Sequence, residues 1–518
     1  MSLEAYSNIA RQRVLRSPAE AFDADVCLIV EGAYPYVSGG VSSWVDGLMR
    51  RHSSLRFCVV AILPEGPPPA SKYPAPPNLT ALHHLYLSGS HGSRRWGSVR
   101  SLKRTDLFAA VDAFLRNGSV LELARINDLL APMLKMQRTA DLLNSPLAWE
   151  LVCNLYDRAM PHESFLHFFW DWRALFGGLV ATLGFPLPRA AIYHTVSTGY
   201  AGLLAARAAA ETGRPAIVTE HGIYTNERRI EILQADWIVD TVDRGYSIED
   251  PRRDLRDFWA GAFESYSKAC YEACAEIITL HEANRSAQIT LGANPSRIRI
   301  IPNGVDYQAL SRLPRPAADQ PPTVALVGRV VPIKDIKTFL QAIHLLRGQF
   351  PDLRTLVMGP TDEQPEYYDA CKAMVAELDL SKRVEFTGKV NVTDYFPRLH
   401  VNVLTSLSES QPLSILEAGA AGIPTVATNV GACREMLLGR RDEEQELGAG
   451  GILTDVASPE QTAQAIAALI GDPERQRCMG QAMQQRVQRY YDLDFVDESY
   501  ATIYQRYRHA PARHPVDG

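Results

Sequence analysis

Short apolar runs, each followed by a stretch with helical spacing, constrain the fold of this chain more than any other feature. The first run, DVCLIVE at residues 25–31, precedes a segment in which Trp44, Val45 and Leu48 recur at helical spacing, and FCVVAIL follows as a second run. Uninterrupted apolar runs are typical of parallel strands buried on both faces, and parallel strands need crossover helices. The sequence therefore predicts an α/β fold with parallel sheets.

This alternation occurs twice along the 518 residues, which is more chain than one hydrophobic core normally organises. The two series are separated by residues 310–322, which carry four prolines and no periodicity. The first series continues with AAIYHTVS, PAIVTEHG, AEIITL and SRIRIIPNGVD, and the second contains TVALVGRV, RTLVMGP, RVEFTGKV, VNVLTS and PTVATNV. We therefore predict two doubly wound domains.

The predicted domains have the following limits. The first covers residues 1–310 and the second residues 311–489, while residues 490–518 form a C-terminal helix that packs back on the first domain. Residues 101–183 have a helical pattern without strand-like runs, which predicts a helical insertion in the first domain.

Composition excludes several classes of protein. The net charge of −6 argues against nucleic acid as the main partner. The eight cysteines are scattered without a framework, as expected for reduced thiols, and no cysteine, histidine or acidic cluster has the spacing of a metal site. We predict no metal and no cofactor.

Targeting signals are not visible in the sequence. The first 25 residues lack the apolar segment of a secretory signal, and no stretch of about 18 apolar residues occurs elsewhere. These observations predict a cytoplasmic protein without direct membrane insertion.

The segment TSLSESQPLSILEAGAAGIPTVAT gives the strongest local signal. It predicts a strand, a turn with Pro412 and a helix, with Glu409 in the turn and Glu417 on the helix. The amides of Leu413 and Ser414 at the helix start suit a diphosphate, and the two carboxylates suit sugar and ribose hydroxyls. Two solvated surface charges are the alternative interpretation.

Two further groups follow predicted strands. Arg329 and Lys334 lie beyond the end of a buried strand, where ligands bind in open α/β sheets, and two cations there suit a diphosphate. Gly39 and Gly40 lie between the first strand and its helix, so the backbone can approach a bound group there. Ordinary surface charges and a plain turn are the alternatives.

His194 and His221 each follow a strand of the first domain, and Glu220 stands beside His221. A histidine at one strand end is usually a core or capping residue, but two at corresponding edges also favour a functional role.

Taken together, the Gly-Gly loop, the R-x4-K pair and the E-x7-E pair resemble glycosyltransferase family 4, a retaining family of the GT-B fold. The resemblance runs from Val26 to about Ile470. It implies two Rossmann-like domains with an interdomain cleft, and an activity that moves a hexose from a UDP-sugar. The segments LIVEGAYPYVSGGVSSWVDGL, HTVSTGYAG and TEHGIYTNER are most similar to family members of bacterial Pel exopolysaccharide biosynthesis.

The resemblance also implies roles for individual residues. Arg329 and Lys334 hold the donor diphosphate, Glu417 the ribose and Glu409 the transferred sugar. Gly39 and Gly40 approach the donor, while Lys389 and Val390 meet the uracil through their backbone. His221 lies near the anomeric centre, and His194 with Glu220 is given a weaker role on the acceptor side.

The same resemblance implies partners. They are a UDP-sugar carrying glucose or an N-acetylhexosamine such as N-acetylgalactosamine, a growing polysaccharide, and membrane-embedded Pel synthesis and export proteins, which would bring the chain to the inner membrane peripherally. Two rival functions fit the same residues: a non-hydrolysing UDP-sugar epimerase, and a non-catalytic sugar-nucleotide-binding component of an export complex.

Overall fold

The computed structural model describes residues 22–87, 104–134, 139–234, 254–317, 320–440, 443 and 447–512. The chain divides into two units. Unit 1 contains the residues up to Thr279, Asn284–Ile300 and the residues from Tyr500 onward, whereas unit 2 contains Leu280–Ala283 and Ile301–Ser499. The terminal segment of residues 1–21, on which the interpretation of targeting signals partly depends, lies outside the described residues, as do residues 101–103 and 135–138 of the expected insertion.

Unit 1 is built on a seven-stranded parallel sheet with the strand order β3-β2-β1-β4-β5-β6-β7. The central strands consist almost wholly of buried residues, because helices cover both faces of a parallel sheet. The strands are β1 (Ala24–Glu31), β2 (Phe57–Leu63), β3 (Leu79–Tyr86), β4 (Ala190–Thr195), β5 (Ala216–Glu220), β6 (Cys274–Thr279) and β7 (Ile298–Ile300).

Within the described residues, ten α-helices lie between β1 and β7. Five of them, α2 to α6, lie between β3 and β4, where the sequence predicts a helical insertion. The helices are α1 (Gly40–Arg51), α2 (Arg104–Asn117), α3 (Val120–Leu134), α4 (Thr139–Leu143), α5 (Pro146–Ala159), α6 (Phe165–Gly184), α7 (Tyr200–Thr212), α8 (Tyr224–Gln234), α9 (Leu255–Ala273) and α10 (Glu282–Thr290).

Unit 2 is built on a six-stranded parallel sheet with the order β10-β9-β8-β11-β12-β13. Its strands are β8 (Thr323–Val327), β9 (Arg354–Met358), β10 (Val384–Gly388), β11 (Val401–Leu404), β12 (Thr425–Thr428) and β13 (Gly451–Thr454). Its helices are α11 (Tyr307–Leu310), α12 (Ile336–Leu346), α13 (Pro365–Glu377), α14 (Leu413–Ala420), α15 (Cys433–Leu438), α16 (Pro459–Ile470), α17 (Pro473–Tyr490) and the first part of α18 (Leu493–Arg508).

The prediction of two Rossmann-like doubly wound α/β domains is confirmed. Two strands were missed, and both extend a sheet at its edge. β3 carries His83 and His84 and is only partly buried, so it lacks the continuous apolar run by which the other strands were recognised. β13 is four residues long, begins at Gly451 and is only half-buried at its two apolar residues, so it too lacks a continuous apolar run.

The end of α18 is held on unit 1 by charged side chains. Arg508 Nη2 lies 3.0 Å from Asp25 Oδ1 at the start of β1, and Arg506 Nη1 lies 3.0 Å from Glu276 Oε1 on β6. Tyr507 donates a hydrogen bond to the same glutamate oxygen. These contacts fix the C-terminal half of α18 against the amino ends of two strands.

Among the helices of the described residues, none is both long enough and apolar enough to cross a bilayer.

Candidate functional site

The strand order of unit 2 reverses between β8 and β11. In open α/β sheets a crevice forms at such a point, outside the carboxyl ends of the two strands, and ligands bind there. The loop after β8 leads to Lys334, and the loop after β11 leads to Glu409. Two residues that are 75 positions apart in sequence therefore meet at the same sheet edge.

Lys334 and Glu409 form an ion pair at this edge. Lys334 Nζ contacts Glu409 Oε1, and the Ser406 hydroxyl donates a hydrogen bond of 2.6 Å to the same oxygen. The two side chains are 17% and 13% exposed, so the pair is sheltered but reachable from solvent. Because both contacts use Oε1, Oε2 of Glu409 can still accept a hydrogen bond from a ligand hydroxyl.

Hydrogen bonds join the two loops, and each of them ends on a backbone carbonyl oxygen of the loop after β8. The Thr405 hydroxyl lies 3.1 Å from the carbonyl oxygen of Lys334 and 2.9 Å from that of Asp335, and Leu407 N–H donates to Ile333 O over 2.8 Å. These bonds fix the spacing of the two strand ends, so the ion pair is positioned by the fold before any ligand arrives.

Gly431 lies in a turn that packs against the backbone of Glu409 and Ser410. Its φ is +51°, and a Cβ atom at this position would lie 2.1 Å from the carbonyl oxygen of Glu409 and 2.5 Å from that of Ser410. The neighbouring Ala432 N–H donates a hydrogen bond to the same Ser410 oxygen. The close approach of this turn therefore requires glycine.

Helix α14 follows the Glu409 loop directly. Its N-cap is Pro412, which provides no side-chain hydrogen bond, so the first amides of Leu413 and Ser414 are not capped by a side chain. Helix N-termini of this kind favour anions. Glu417 lies in the second turn, and burial raises the pKa of its carboxyl to about 7. A carboxylate in this setting gains most from a ligand that donates hydrogen bonds to it.

The remaining predicted donor residues of unit 2 follow β8 and β10. Arg329 follows β8, but its guanidinium is half exposed and pairs with Glu363. Lys389 is exposed and Val390 half-buried, and both follow β10, which is separated from β8 by β9. The structure thus joins Lys334 to Glu409 directly, whereas it gives Arg329 a carboxylate partner that the sequence did not suggest.

In unit 1, the predicted Gly-Gly loop begins helix α1. Gly39 and Gly40 are exposed, and a Cβ atom at either position would meet nothing within 4 Å. Helix α1 carries Trp44, whose ring packs edge-on against His221 with the centroids 4.9 Å apart. The start of α1 and the end of β5 are therefore neighbours, as the sequence predicts for residues at one sheet edge.

His194 is buried within the unit 1 core. Its Nδ1 hydrogen-bonds with Tyr504 over 2.7 Å, and its Nε2 with Thr219 over 2.9 Å. Burial, reinforced by the neighbouring His221, lowers the pKa of His194 to about 3. The ring is therefore neutral at physiological pH and anchors the last helix of the chain.

Glu220 is also fully buried. It accepts hydrogen bonds from Tyr271 (2.5 Å) and Gln288 (2.7 Å), with longer ones from Thr198 and the backbone of Tyr224. Burial raises the pKa of this carboxyl, although the hydrogen bonds oppose the shift. Neither Glu220 nor His194 is exposed to a sugar acceptor, so their predicted acceptor-side role would be exerted through neighbouring residues.

Three residues of the site escaped the sequence analysis. Ser406, Gly431 and Glu363 act through contacts with Glu409 and Arg329 that no spacing in the sequence indicates. No group of three or more histidine, cysteine or acidic side chains within the described residues is arranged to hold a metal ion.

The two parallel-sheet units have the GT-B fold, and residues 321–472 match the family described as Glycosyl transferases group 1. Residues 24–296, more than half of the chain, match the model described as Domain of unknown function (DUF3492). The chain belongs to the DUF3492 family.

Similarity to curated proteins is limited to part of the chain. The D-inositol 3-phosphate glycosyltransferase of Nocardia farcinica is 31% identical over 39% of this chain and 46% of that protein. The enzyme of the same name from Kineococcus radiotolerans is 29% identical over 42% of this chain and 54% of that protein. The MMP alpha-(1->4)-mannosyltransferase of Mycolicibacterium hassiacum is 23% identical over 57% of this chain and 66% of that protein. The chain thus spans about half the length of the curated relatives it matches.

Solved structures share the fold over a longer range. Anabaena Alr3699/HepE in complex with UDP has a TM-score of 0.56 at 13% identity and covers 93% of this chain and all of that one. Sucrose-phosphate synthase from Thermosynechococcus elongatus has a TM-score of 0.55 at 16% identity, over 93% and 98% of the two chains. At these identities the likeness establishes the fold.

Proposed function

We propose that the chain is a retaining glycosyltransferase that moves a hexose from a UDP-sugar to a polysaccharide acceptor. The observation that carries this proposal is the Lys334–Glu409 pair at the strand-order reversal of unit 2, immediately before the uncapped start of α14. A cation from the loop after β8, a carboxylate from the loop after β11 and the amides at the start of α14 match the chemistry of a sugar diphosphate.

Each group has a distinct task in the proposed reaction. Lys334 and the amides of Leu413 and Ser414 oppose the negative charge of the diphosphate, and Arg329 adds charge at the same strand end. Glu409 accepts a hydrogen bond from the transferred sugar, and Glu417 accepts from the ribose. Lys389 and Val390 contact the base through their backbone. The donor-side roles of Gly39, Gly40 and His221 of unit 1 rest on the family resemblance alone.

The proposed chemistry is a front-face substitution. The bond between the anomeric carbon and the diphosphate oxygen breaks, and its electron pair leaves with UDP. The acceptor hydroxyl forms the new bond from the same face, and its proton passes to the departing diphosphate oxygen. No enzyme nucleophile and no metal take part, so the rate depends on charge stabilisation and positioning.

The nature of the donor and acceptor is also part of the proposal. Structures of Anabaena HepE hold UDP and UDP-glucose, which supports a UDP-sugar here. The sequence segments around Gly39, His194 and His221 resemble PelF, so we propose a role in Pel exopolysaccharide synthesis, with glucose or N-acetylgalactosamine as the sugar. Membrane-embedded synthesis and export proteins are then the partners, and the chain works in the cytoplasm beside them.

The test is an assay of UDP release and product formation with purified protein. UDP-glucose, UDP-galactose and their N-acetyl forms are supplied with a cell-derived acceptor, and the product is examined by NMR. Lys334→Ala is expected to lower the transfer rate by roughly 10²-fold or more, the scale of a lost electrostatic contact. Lys372→Ala is the matched control, because this exposed lysine of α13 contacts its helix neighbours Asp369 and Tyr368 and no residue of the proposed site in the described structure.

Two outcomes of this assay would contradict the proposal. Equal rates for Lys334→Ala and Lys372→Ala would remove the diphosphate role of Lys334. A UDP-sugar product with altered configuration, formed without acceptor, would replace transfer by epimerisation. Retention itself is read from the anomeric coupling constant of the product.

A further inference from the structure

Helices α2 and α5, which lie between β3 and β4, together with helix α9 line a pocket that the proposed donor site does not use. It has a volume of about 650 Å³ and lies among α2, α5, α9 and the turn at Met160–His162. Pockets of roughly 300–1,000 Å³ are the size class that binds small molecules in proteins. All of its lining residues belong to unit 1 and to the described part of the chain.

The floor of the pocket is apolar. Leu155 and Met160 are buried in the unit 1 core, and Leu115 and Phe258 are partly buried beside them. The ring of Phe258 is held against Phe168 of α6, with the centroids 5.2 Å apart. A fixed aromatic ring next to aliphatic side chains offers a surface on which the apolar face of a sugar ring can pack.

The rim of the pocket is charged but balanced. Arg116 contacts Asp112 Oδ2, and Arg158 Nη1 lies 3.9 Å from the same oxygen, so one carboxylate stands between two guanidinium groups. Asp257 and His162 complete the rim. Two arginines and two aspartates carry no net charge, which disfavours a phosphate ligand, whereas hydroxyl groups can both donate to a carboxylate and accept from a guanidinium.

We propose that this pocket binds a carbohydrate segment, namely sugar units of the growing polysaccharide away from the transferred hexose. The proposal rests on the proposed function for the identity of the polysaccharide. It assigns Asp112, Arg116 and Arg158 as hydroxyl-binding groups and Phe258 as the stacking surface. The helical insertion thereby becomes an acceptor-chain site in addition to a structural element of unit 1.

Substitutions at Gly261 test whether the pocket binds carbohydrate. It lines the pocket from α9, and a Cβ atom there would meet nothing within 4 Å. A larger side chain at this position therefore has room to occupy the pocket without a backbone clash. Gly261→Phe is expected to fill the pocket, and Gly261→Ala is the matched control that makes the same helix-favouring change without filling it.

The probes are linear tetrasaccharides of glucose, N-acetylglucosamine and N-acetylgalactosamine, and binding to the full chain is measured by saturation-transfer NMR and calorimetry. We expect at least one probe to bind, with affinity lowered about tenfold or more by Gly261→Phe and unchanged by Gly261→Ala. Asp112→Asn should weaken the same probe by about tenfold or more, the effect of one lost hydrogen bond to a charged group. UDP-glucose binding, measured in parallel, should be equal in all of these variants.

The outcomes separate the two proposals. If no tetrasaccharide binds, or if Gly261→Phe binds as well as Gly261→Ala, the pocket is not a carbohydrate site, while UDP-glucose binding and transfer remain unaffected. If inorganic phosphate competes at this pocket and the sugars do not, an anion site replaces the proposal. Tetrasaccharide binding without any UDP-sugar binding would keep the carbohydrate site and remove the proposed transferase function.

Discussion

Gly431→Ala tests whether the turn beneath Glu409 sets the geometry of the donor site. The new methyl carbon would lie 2.1 Å from the Glu409 carbonyl oxygen, whereas ordinary van der Waals contact begins near 3.4 Å. The Glu409 backbone must therefore move by about 1.3 Å, or the glycine turn must move by the same amount. Either shift separates Glu409 from Lys334 or alters the direction of Oε2.

The expected magnitude follows from this displacement. A misplacement of about 1 Å in a group that positions substrate lowers activity by roughly 10²-fold. The substitution also destabilises the fold, since alanine at a left-handed φ costs about 1–2 kcal/mol and the overlap adds about 1–3 kcal/mol. Both effects have to be separated in the experiment.

Gly448→Ala is the control for backbone strain. Gly448 also has a left-handed φ, +83°, but a Cβ atom there would meet nothing within 4 Å. Transfer rates are measured at a temperature where both variants are folded, as shown by circular dichroism. We expect Gly448→Ala to retain the normal rate and Gly431→Ala to lose about 10²-fold. If the two variants differ in rate by less than about threefold, the turn does not position Glu409 in the way described.

Two further predictions concern unit 2. The pKa of Glu417 is raised to about 7, and the ionised carboxylate is the form that would accept ribose hydroxyls. The affinity for UDP-glucose should therefore rise about tenfold from pH 6 to pH 8. In Glu417→Gln the affinity should not change with pH over this range. The same shift means that stability of the free protein falls as pH rises from about 4.5 to 7, so Glu417→Gln should unfold at higher denaturant concentration than the parent at pH 8. Arg486, which is fully buried, donates two hydrogen bonds to Glu443, so Arg486→Met should cost about 3–5 kcal/mol in denaturant unfolding of unit 2. The double variant Arg486→Met/Glu443→Leu should recover part of this loss, and equal stability of single and double variants would contradict the role of the buried pair.

Much of the fold could be predicted because buried parallel strands have a distinct sequence pattern. β1, β2 and β8 are runs of residues that are almost all buried, so their apolar character is visible without a structure. β3 and β13 could not be found in this way. An edge strand has a neighbour on one side only and tolerates polar residues such as His83 and His84. β13 begins with Gly451, and its two apolar residues are only half-buried, so it shows no continuous apolar run.

The candidate site was predictable at the level of strand ends and not at the level of contacts. Lys334, Glu409 and the amides at the start of α14 follow strands of one sheet, and the rule for open α/β sheets brings such positions together. The partner of each side chain depends on distances of a few ångströms, which spacing in the sequence does not determine. For this reason His194, a candidate at a strand end, proved to be a neutral core residue held by Tyr504 and Thr219.

The ion pair also bears on how a net-negative chain would bind the proposed diphosphate. Lys334 and Glu409 together are neutral, and Arg329 is paired with Glu363, so unit 2 does not rely on an excess of positive charge at this edge. Recognition then depends on donors with fixed directions: the lysine held by Glu409, and the amides of α14 held by the helix. Groups that are oriented before the donor arrives need no reorganisation as charge develops on the leaving diphosphate, which is the condition under which electrostatic stabilisation contributes most to rate.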